Sequence, residues 1–296
     1  MIDFRIDTFL AVCQYMNYTK AAEALSITQP AVTQHIHYLE EHFGVKLFQF
    51  QGKRPALTEA GRLLLGAATT LKHDEIYLRE KLLDTTKRGK LLALGATKTV
   101  GAYLLPQALA GYLSHNPEAD VHITMDNTKV LLDELDQGKI DCALVEGSFD
   151  KDQYDFLLYS VEPFVAVCRS GYTFDRRPET VEDLLEERLI VREAGSGTRN
   201  ILESYLKRHN LVVADFSHVT EINNVTAIKE LVKQGAGITF LYGFAVQEEL
   251  ARGTLQQIPL AHFSLSHNIT FLWRHGSIFR AYYEQLFEEL GGKPPK

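Results

Sequence analysis

The stretch Ala21–Phe48, "AAEALSITQPAVTQHIHYLEEHFGVKLF", decides the fold of the first part of the chain. Apolar residues recur at helical spacing on both sides of the break "SITQ", which predicts two short helices, Lys20–Leu25 and Gln29–His42. A further helical pattern covers Asp3–Met16. Two short helices joined by a tight turn are typical of a helix-turn-helix.

Residues at the helix boundaries support this interpretation. Thr19 can cap the helix that follows it, because a hydroxyl oxygen can accept from a free backbone N–H, and Thr28 directly precedes Gln29 and Pro30. Pro30 suits a first helical turn, where its missing N–H would be unpaired anyway. Gly44 is a typical residue for ending a helix.

The Gln29–His42 helix has one apolar stripe, formed by Val32, Ile36, Leu39 and Phe43. Its other side is polar. Glutamine can bond adenine bidentately, and threonine can contact base edges or a thymine methyl group. We therefore expect DNA contacts from Thr28, Gln29, Pro30, Thr33, Gln34 and His37. The alternative is a small helical bundle whose polar face is only solvated.

The segment "KLFQFQGKRPALTEAG" (46–61) has the pattern of a β-wing. Short apolar runs flank a tip that contains Gly52, as expected for a hairpin. Lys53 and Arg54 at this tip are expected to contact backbone phosphates.

These motifs resemble the winged helix-turn-helix of LysR-type transcriptional regulators, and the match runs without a gap through "LTEAG" (57–61). The family commonly has arginine two residues after the "LF" pair, where this chain has Phe50. The wing is therefore expected to make fewer phosphate contacts, with more of that role on Lys53 and Arg54. The resemblance implies double-stranded promoter DNA with dyad half-sites as a partner, and RNA polymerase as another.

Charge is distributed unevenly along the 296 residues. Residues 1–90 contain 12 Lys and Arg against 10 Asp and Glu, whereas residues 91–296 contain 19 against 28. Such asymmetry suggests two parts with different partners. Since no apolar run approaches the roughly 20 residues that span a bilayer, and no apolar signal segment begins the chain, we expect a cytoplasmic protein without a membrane partner.

A long helix is predicted over Thr58–Lys87, which contains no proline. Leu64, Leu71 and Leu78 form a narrow apolar seam suited to packing along a partner helix, with packing against its own domain as the alternative. The family resemblance implies pairing with a second subunit, as a dimer or tetramer. Thr85–Lys90 has the composition of a hinge.

From Leu91 onward, apolar strand patterns alternate with helical patterns, among them Tyr103–His115 and Val181–Glu187. This alternation predicts an α/β fold with mostly parallel strands. The resemblance implies two periplasmic-binding-protein-like lobes. The expected units are a DNA-binding domain at 1–60, a linker at 58–90 and an effector domain at 91–296. The effector domain is divided into lobe I (about 91–162 and 267–296) and lobe II (about 163–266).

Ligands in such folds bind beyond the carboxyl ends of strands, where helix N-termini converge. Polar residues follow several predicted strands, and Thr128 is expected to cap a helix. The candidate effector-binding residues are Thr97, Lys98, Thr99, Thr128, Glu146, Gly195, Ser196, Gly197, Thr198, Asn224 and Tyr242, with Asn223 beside them.

The segment "EAGSGTRN" (193–200) admits three chemistries. It lacks the spacing of a G-x-S-x-G nucleophile elbow and the lysine of a Walker loop, so catalysis and nucleotide hydrolysis are disfavoured. A purely structural cap at Ser196 or Thr198 is the second alternative. We favour effector capture by hydroxyls and free N–H groups at a helix start, with Ser196 holding a ligand rather than attacking it.

Hydroxyls at helix N-termini favour a small anion, either a carboxylate or an inorganic oxyanion. Together, "VEG" (145–147) and "REAGSGTR" (192–199) are similar to the branch of the family associated with cysteine and sulfur metabolism, which implies a sulfite- or sulfate-like ligand. We expect no cofactor and no enzyme activity. We also expect no metal site: His35, His37 and His42 share the third helix, but a two-residue spacing does not place His35 and His37 on one face. An enzyme fused to a DNA-binding head and a purely architectural DNA binder are the alternatives.

Overall fold

The computed structural model describes residues 3–51, 54–84 and 91–293. Three helices open the chain: α1 (Phe4–Tyr15), α2 (Tyr18–Leu25) and α3 (Gln29–Phe43). They pack around one small core that contains Phe9, Val32, Ile36 and Leu39. The predicted helix-turn-helix is confirmed.

Two details of these helices differ from the sequence-based prediction. Asn17 rather than Thr19 caps α2, because Asn17 is extended and its Oδ1 accepts from the N–H groups of Thr19 and Lys20 at 2.9 and 3.0 Å. Phe43 does not belong to the buried stripe. It is the last residue of α3 and is half-exposed, with its ring edge-on to His42 at 5.1 Å.

The other predicted boundaries of α3 are present. Thr28 Oγ1 accepts from the N–H of Ala31 at 3.3 Å at the start of the helix. Gly44 ends it with φ +68°, a conformation that glycine adopts without strain.

The wing consists of β1 (Phe48–Gln51) and β2 (Arg54–Leu57), which pair antiparallel with Phe48 opposite Leu57. Lys53 and Gly52 at its tip lie outside the described residues.

A 26-residue helix, α4 (Glu59–Asp84), follows the wing. Its start packs on the head through Ala68, whereas Leu71 and Leu78 are 53% and 42% exposed. The apolar seam is thus accessible at Leu71 and Leu78, whereas its first member, Leu64, packs against the core of the head. The predicted hinge, Thr85–Lys90, lies outside the described residues.

The first α/β unit contains β3 (Leu91–Thr97), α5 (Lys98–Tyr103), α6 (Leu105–His115), β4 (Asp120–Asp126), α7 (Thr128–Asp136) and β5 (Cys142–Val145). Strand β3 lies between β4 and β5 and is parallel to both. We call this unit, completed by the last strand and helix of the chain, the first lobe. The helix predicted over Tyr103–His115 begins earlier and is divided at Leu104, just before Pro106 in the first turn of α6.

The next elements are β6 (Tyr154–Arg169), β7 (Arg188–Val191), α8 (Gly197–Arg208), β8 (His218–Glu221), α9 (Val225–Lys233), β9 (Thr239–Tyr242), α10 (Gly243–Ala251) and β10 (Leu255–Gln257). Those after β6 form what we call the second lobe. The helix predicted over Val181–Glu187 is only a single 3₁₀ turn, Glu182–Leu184, while β10 was not predicted.

Two long strands connect the lobes: β6 and β11 (Leu265–Arg274). They pair with each other from Leu265–Phe164 to Arg274–Tyr154. Strand β11 also pairs with β5, and the far end of β6 pairs with β9 and β10. A last helix, α11 (Arg280–Glu289), follows β11. The predicted α/β fold with a winged head, a long linker helix and two lobes is confirmed.

The prediction of mostly parallel strands is wrong for the seven-stranded sheet. Within the described residues, β3 pairs parallel with β4 and β5, but β6 and β11 pair antiparallel with each other, β11 with β5, and β6 with β9 and β10. The two long strands run in opposite directions between the lobes, which makes these pairs antiparallel.

Within the described part of the chain, no helix has the length and apolar character needed to cross a membrane.

Candidate effector and nucleic-acid sites

A groove of about 900 Å³ separates α3 from the wing. Its wall includes three predicted DNA-binding residues of α3, namely Gln29, Thr33 and His37, and also Arg54 of the wing. Gln29 donates from Nε2 to Thr33 Oγ1 at 3.0 Å, so the two side chains act as one polar unit. Thr28, Pro30 and Gln34 are exposed but lie outside the groove wall.

The same groove contains residues that sequence reasoning missed. Lys20 at the start of α2 and Lys46 before the wing lie on its wall. Phe50, already noted as the residue in place of the family's arginine, is 62% exposed there, with its ring 6.1 Å from that of Tyr18. Asn17, the cap of α2, also lies on this wall, so a second helix N-terminus faces the groove. The sequence analysis had assigned this cap to Thr19, two residues later.

A second cavity, of about 360 Å³, lies where the two lobes meet. The exits of β3, β5 and β7 and the starts of α7 and α8 converge on it, as expected for ligand sites in α/β folds. Seven predicted effector-binding residues line its wall: Thr97, Lys98, Thr128, Glu146, Gly195, Ser196 and Gly197. Asn223, Asp126, Asn127, Arg192, Glu193 and Ala194 complete it.

Two buried polar atoms on this wall have no hydrogen-bond partner: Thr97 Oγ1 and Glu146 Oε2. Both residues are at most 4% exposed. Ser196 precedes α8 as its N-cap residue, yet its side chain makes no capping hydrogen bond. Since buried polar groups are normally paired, these atoms are suited to a bound ligand.

Glu146 has unusual electrostatics for a carboxyl group. Burial raises its pKa to about 7, and the hydrogen bond with Tyr242 and the charge of Arg192 offset this effect only in part. At neutral pH the carboxyl is therefore partly protonated and can donate a hydrogen bond.

Arg192 is the main residue of this site that the sequence analysis missed. Its buried guanidinium holds Glu193 through two hydrogen bonds, of 2.7 Å from Nε and 3.0 Å from Nη2. Nη1 donates to Thr99 Oγ1 in the first lobe at 3.3 Å. Arg192 directly follows β7, so the strand-exit rule that selected Ser196 could have found it.

Four predicted residues have roles other than lining the cavity. Thr99 and Thr198 are buried, and their hydroxyls hydrogen-bond to each other across the lobes at 3.1 Å. Asn224 caps α9 by accepting from the N–H of Ala227 at 2.9 Å. Tyr242 is buried behind Glu146, with its hydroxyl 3.4 Å from Nδ1 of His267.

Thr128 lines the cavity but is not a helix cap, contrary to the sequence-based prediction. Asn127 caps α7 instead, because its Oδ1 accepts from the N–H of Val130 at 3.1 Å.

The cations of the cavity wall already have carboxylate neighbours. Lys98 Nζ lies 3.9 Å from Asp126 Oδ1, and Arg192 is paired with Glu193. Hydrogen bonds with Arg192 lower the pKa of Glu193, even though burial acts in the opposite direction. The contact of Lys98 with Asp126 is too long for a hydrogen bond, so its ammonium can still donate to a ligand, beside the hydroxyls and backbone N–H groups of the wall.

Among the residues that the structure describes, no group of three or more His, Cys, Asp or Glu side chains is arranged to hold a metal ion. His35, one of the three histidines of α3, hydrogen-bonds through Nδ1 with Thr8 Oγ1 at 2.9 Å.

Comparison with known proteins identifies both parts of the chain. A family model described as "LysR substrate binding domain" matches residues 86–293, and one described as "Bacterial regulatory helix-turn-helix protein, lysR family" matches residues 5–62.

Named relatives agree with these models. A probable RuBisCO transcriptional regulator of Chlorokybus atmophyticus is 28% identical over 280 residues, which cover 92% of this chain and 89% of the relative. The uncharacterized HTH-type transcriptional regulator YeiE of Escherichia coli (strain K12) is 27% identical over 270 residues, with 91% and 89% covered. These names do not bear on the sulfur-metabolism branch, which stays a prediction.

The fold is shared with full-length LysG of Corynebacterium glutamicum, solved with bound effector Arg. That chain is 18% identical, with a TM-score of 0.67 and 100% of both chains covered. Since family models match both the DNA-binding and the effector-binding parts, the chain belongs to the LysR family of transcriptional regulators.

Proposed function

We propose that this regulator binds specific DNA sequences through α3 and the wing, and that a small anionic metabolite in the cavity between the lobes modulates this binding. The observation that carries the effector part is the pair of buried, unpartnered atoms, Thr97 Oγ1 and Glu146 Oε2, on the cavity wall. They belong to two different strand exits and face one space. A ligand that satisfies both would stabilise one placement of the lobes.

The chemistry of the wall favours a carboxylate or an inorganic oxyanion, such as a sulfite- or sulfate-like ion. The N-terminus of the 12-residue helix α8 opens onto the cavity, beside the Ser196 hydroxyl, which makes no capping hydrogen bond. Glu146 does not oppose an anion when protonated, which its pKa of about 7 permits. The volume of about 360 Å³ suits a small metabolite.

The DNA part rests on the exposed polar unit of Gln29 and Thr33 at the N-terminal end of α3. We propose further that the accessible residues Leu71 and Leu78 pair two copies of α4, giving a dimer or a tetramer in which two heads lie on dyad half-sites. RNA polymerase is the further partner of such a regulator at a promoter. The proposed units are 1–60, 58–90 and 91–296, with the lobes at about 91–162 with 267–296 and at 163–266.

The test uses the full chain and a DNA duplex that it selects from a random pool. Mobility shifts are measured with and without sulfate, sulfite, phosphate and a panel of small carboxylates. We expect one class of anion to change DNA affinity, and DNA to change the affinity for that anion by the same factor. Recovery of the anion unchanged after incubation distinguishes binding from catalysis.

Ser196→Ala and Thr97→Val remove one hydroxyl each from the cavity and should weaken the anion response. Ser204→Ala, at an exposed position of the same helix α8, is the matched control. An anion response that survives in the Ser196→Ala/Thr97→Val double variant would place the effector elsewhere.

A further inference from the structure

One face of α4 contacts the first lobe through polar groups. Thr70 donates from Oγ1 to the carbonyl oxygen of His275 at 3.0 Å. His73 Nε2 lies 3.2 Å from the carbonyl oxygen of Ile140. The ring of Tyr77 packs edge-on against Phe279, with 4.5 Å between centroids. The helix that follows the DNA-binding head is thereby joined to the segment that follows β11.

Asp74 is the centre of this contact and is 4% exposed. Ser277 donates from Oγ to Asp74 Oδ1 at 2.6 Å, and the N–H of Ile278 donates to Oδ2 at 2.9 Å. Burial alone would raise the pKa of Asp74, but the neighbouring His73 ring, whose Nδ1 lies 3.8 Å from Oδ1, and the hydrogen bonds from Ser277 and Ile278 outweigh it and lower the pKa. Each carboxylate oxygen of Asp74 accepts a hydrogen bond, so the orientation of its side chain is fixed relative to Ser277 and Ile278.

Arg274, at the end of β11, forms the second fixed point and is 2% exposed. Its Nη2 donates to the carbonyl oxygen of Gly66 in α4 at 3.2 Å, and its Nη1 donates to Asp136 of α7 at 2.6 Å. Tyr154 also donates to that Asp136 oxygen, at 2.9 Å. Arg274 therefore connects α4 with both β11, to which it belongs, and α7.

Strand β11 links this contact to the cavity between the lobes. Its residue His267, near the start of the strand, lies 3.4 Å from the hydroxyl of Tyr242, and Tyr242 interacts electrostatically with Glu146. Arg274 is the last residue of the same strand. Strand β11 therefore runs from the neighbourhood of the cavity to the contact with α4.

We propose that Asp74 and Arg274 are positioning residues, which fix the direction in which the DNA-binding head leaves the first lobe. Gly66, Thr70, Asp74 and Tyr77 share one face of α4, whereas Leu71 and Leu78 lie on another, so the contact leaves the proposed dimer seam free. An apolar contact permits small rotations, but two buried charges with all these partners specify one orientation.

The inference rests on the proposed function, because orientation matters only if two heads read two half-sites. The test uses the full chain, a duplex selected by it from a random pool, the same duplex with two base pairs inserted between the half-sites, and a single half-site. The measured quantity is the ratio of dissociation constants for the inserted and the selected duplex.

In Asp74→Asn this ratio should fall by about fivefold or more, the lower range of ordinary coupling between sites, while affinity for the single half-site stays the same. Ser277→Ala, a milder change at the same contact, should act in the same direction if Asp74→Asn folds poorly. Asp152→Asn, at an exposed position, is the matched control.

An unchanged ratio in folded Asp74→Asn or Ser277→Ala overturns the inference. Equal losses on all three duplexes also overturn it, since they indicate a structural defect only. If the native chain binds the selected and the inserted duplex equally well, the proposed binding of two heads to two half-sites is wrong. This result differs from an unchanged ratio in the variants, which contradicts only the role of Asp74 and Arg274.

Discussion

Gly197 and Glu146 lie against each other across the cavity between the lobes. A Cβ atom on Gly197 would lie 2.9 Å from both Cγ and Oε1 of Glu146. The first residue of α8 is therefore glycine for a steric reason, and its close approach brings the α8 N-terminus next to the carboxyl group.

Gly197→Ala is expected to displace the Glu146 carboxyl and thereby weaken anion binding. It should also lower the free energy of unfolding by about 1–3 kcal/mol, as overpacking usually does. Isothermal titration with the anion found to change DNA binding measures the change in affinity. Gly111→Ala is the control, because nothing lies within 4 Å of a Cβ at this helical position. The control should leave binding unchanged and raise the free energy of unfolding by about 0.5–1 kcal/mol.

Anion affinity should depend on pH through Glu146. Its pKa is about 7 in the folded chain, and an anion is bound better when the carboxyl is protonated. Affinity should then fall as pH rises, by about tenfold per pH unit above 7. In Glu146→Gln, which cannot ionise, affinity for an anion that does not titrate in this range, such as sulfate or a carboxylate, should be nearly constant from pH 6 to pH 8. A native chain whose affinity is equally flat would contradict this assignment.

Glu146 should also affect stability, with a sign fixed by its raised pKa. The unfolded carboxyl ionises near 4.5 and the folded one near 7, so stability falls as pH rises through this range. Above pH 7 the loss reaches at most about 3 kcal/mol. Urea unfolding at pH 5 and pH 8 should therefore show a smaller decrease for Glu146→Gln than for the native chain.

Gln29→Ala should relax sequence preference rather than weaken all DNA binding. Loss of a bidentate base contact costs about 1–3 kcal/mol on the selected duplex and little on random DNA. Gln107→Ala, at an exposed position of α6, should change neither affinity. Equal losses on both duplexes would remove Gln29 from base readout.

Phe50→Arg restores the residue type common in the family at the exposed wing position. The new charge should increase affinity for all duplexes and make the slope of log affinity against log salt steeper by about 1. Arg54→Ala should have the opposite effect on the slope. Val212→Arg adds the same charge at an exposed site in the second lobe, so a similar change there would indicate a nonspecific effect of net charge.

Most helices and strands followed from the sequence because their signals are local. The stop at Gly44 and the cap at Thr28 depend only on neighbouring backbone groups. The cap of α2 was misplaced because both Asn17 and Thr19 can accept such bonds, and only the extended backbone of Asn17 distinguishes them. Likewise, Phe43 continues the apolar spacing of α3 but is not covered by the core.

The candidate effector site could be predicted in its parts but not in its arrangement. Strand exits selected Thr97, Glu146 and Ser196, since polar residues after apolar runs are visible in sequence. Arg192 looked like the end of its strand, and nothing local showed that its guanidinium reaches Thr99. Thr99 and Thr198 were selected as ligand contacts, but they bond to each other.

The sequence alone determined the helix-turn-helix head, the long linker helix and the alternating strands and helices, because hydrophobic periodicity and capping residues act over a few positions. Only the tertiary structure decided which strand exits meet, that Glu146 is buried against Gly197, and that Asp74 joins α4 to the first lobe. These contacts join residues far apart in the chain, and their burial sets the charge and partners of each group.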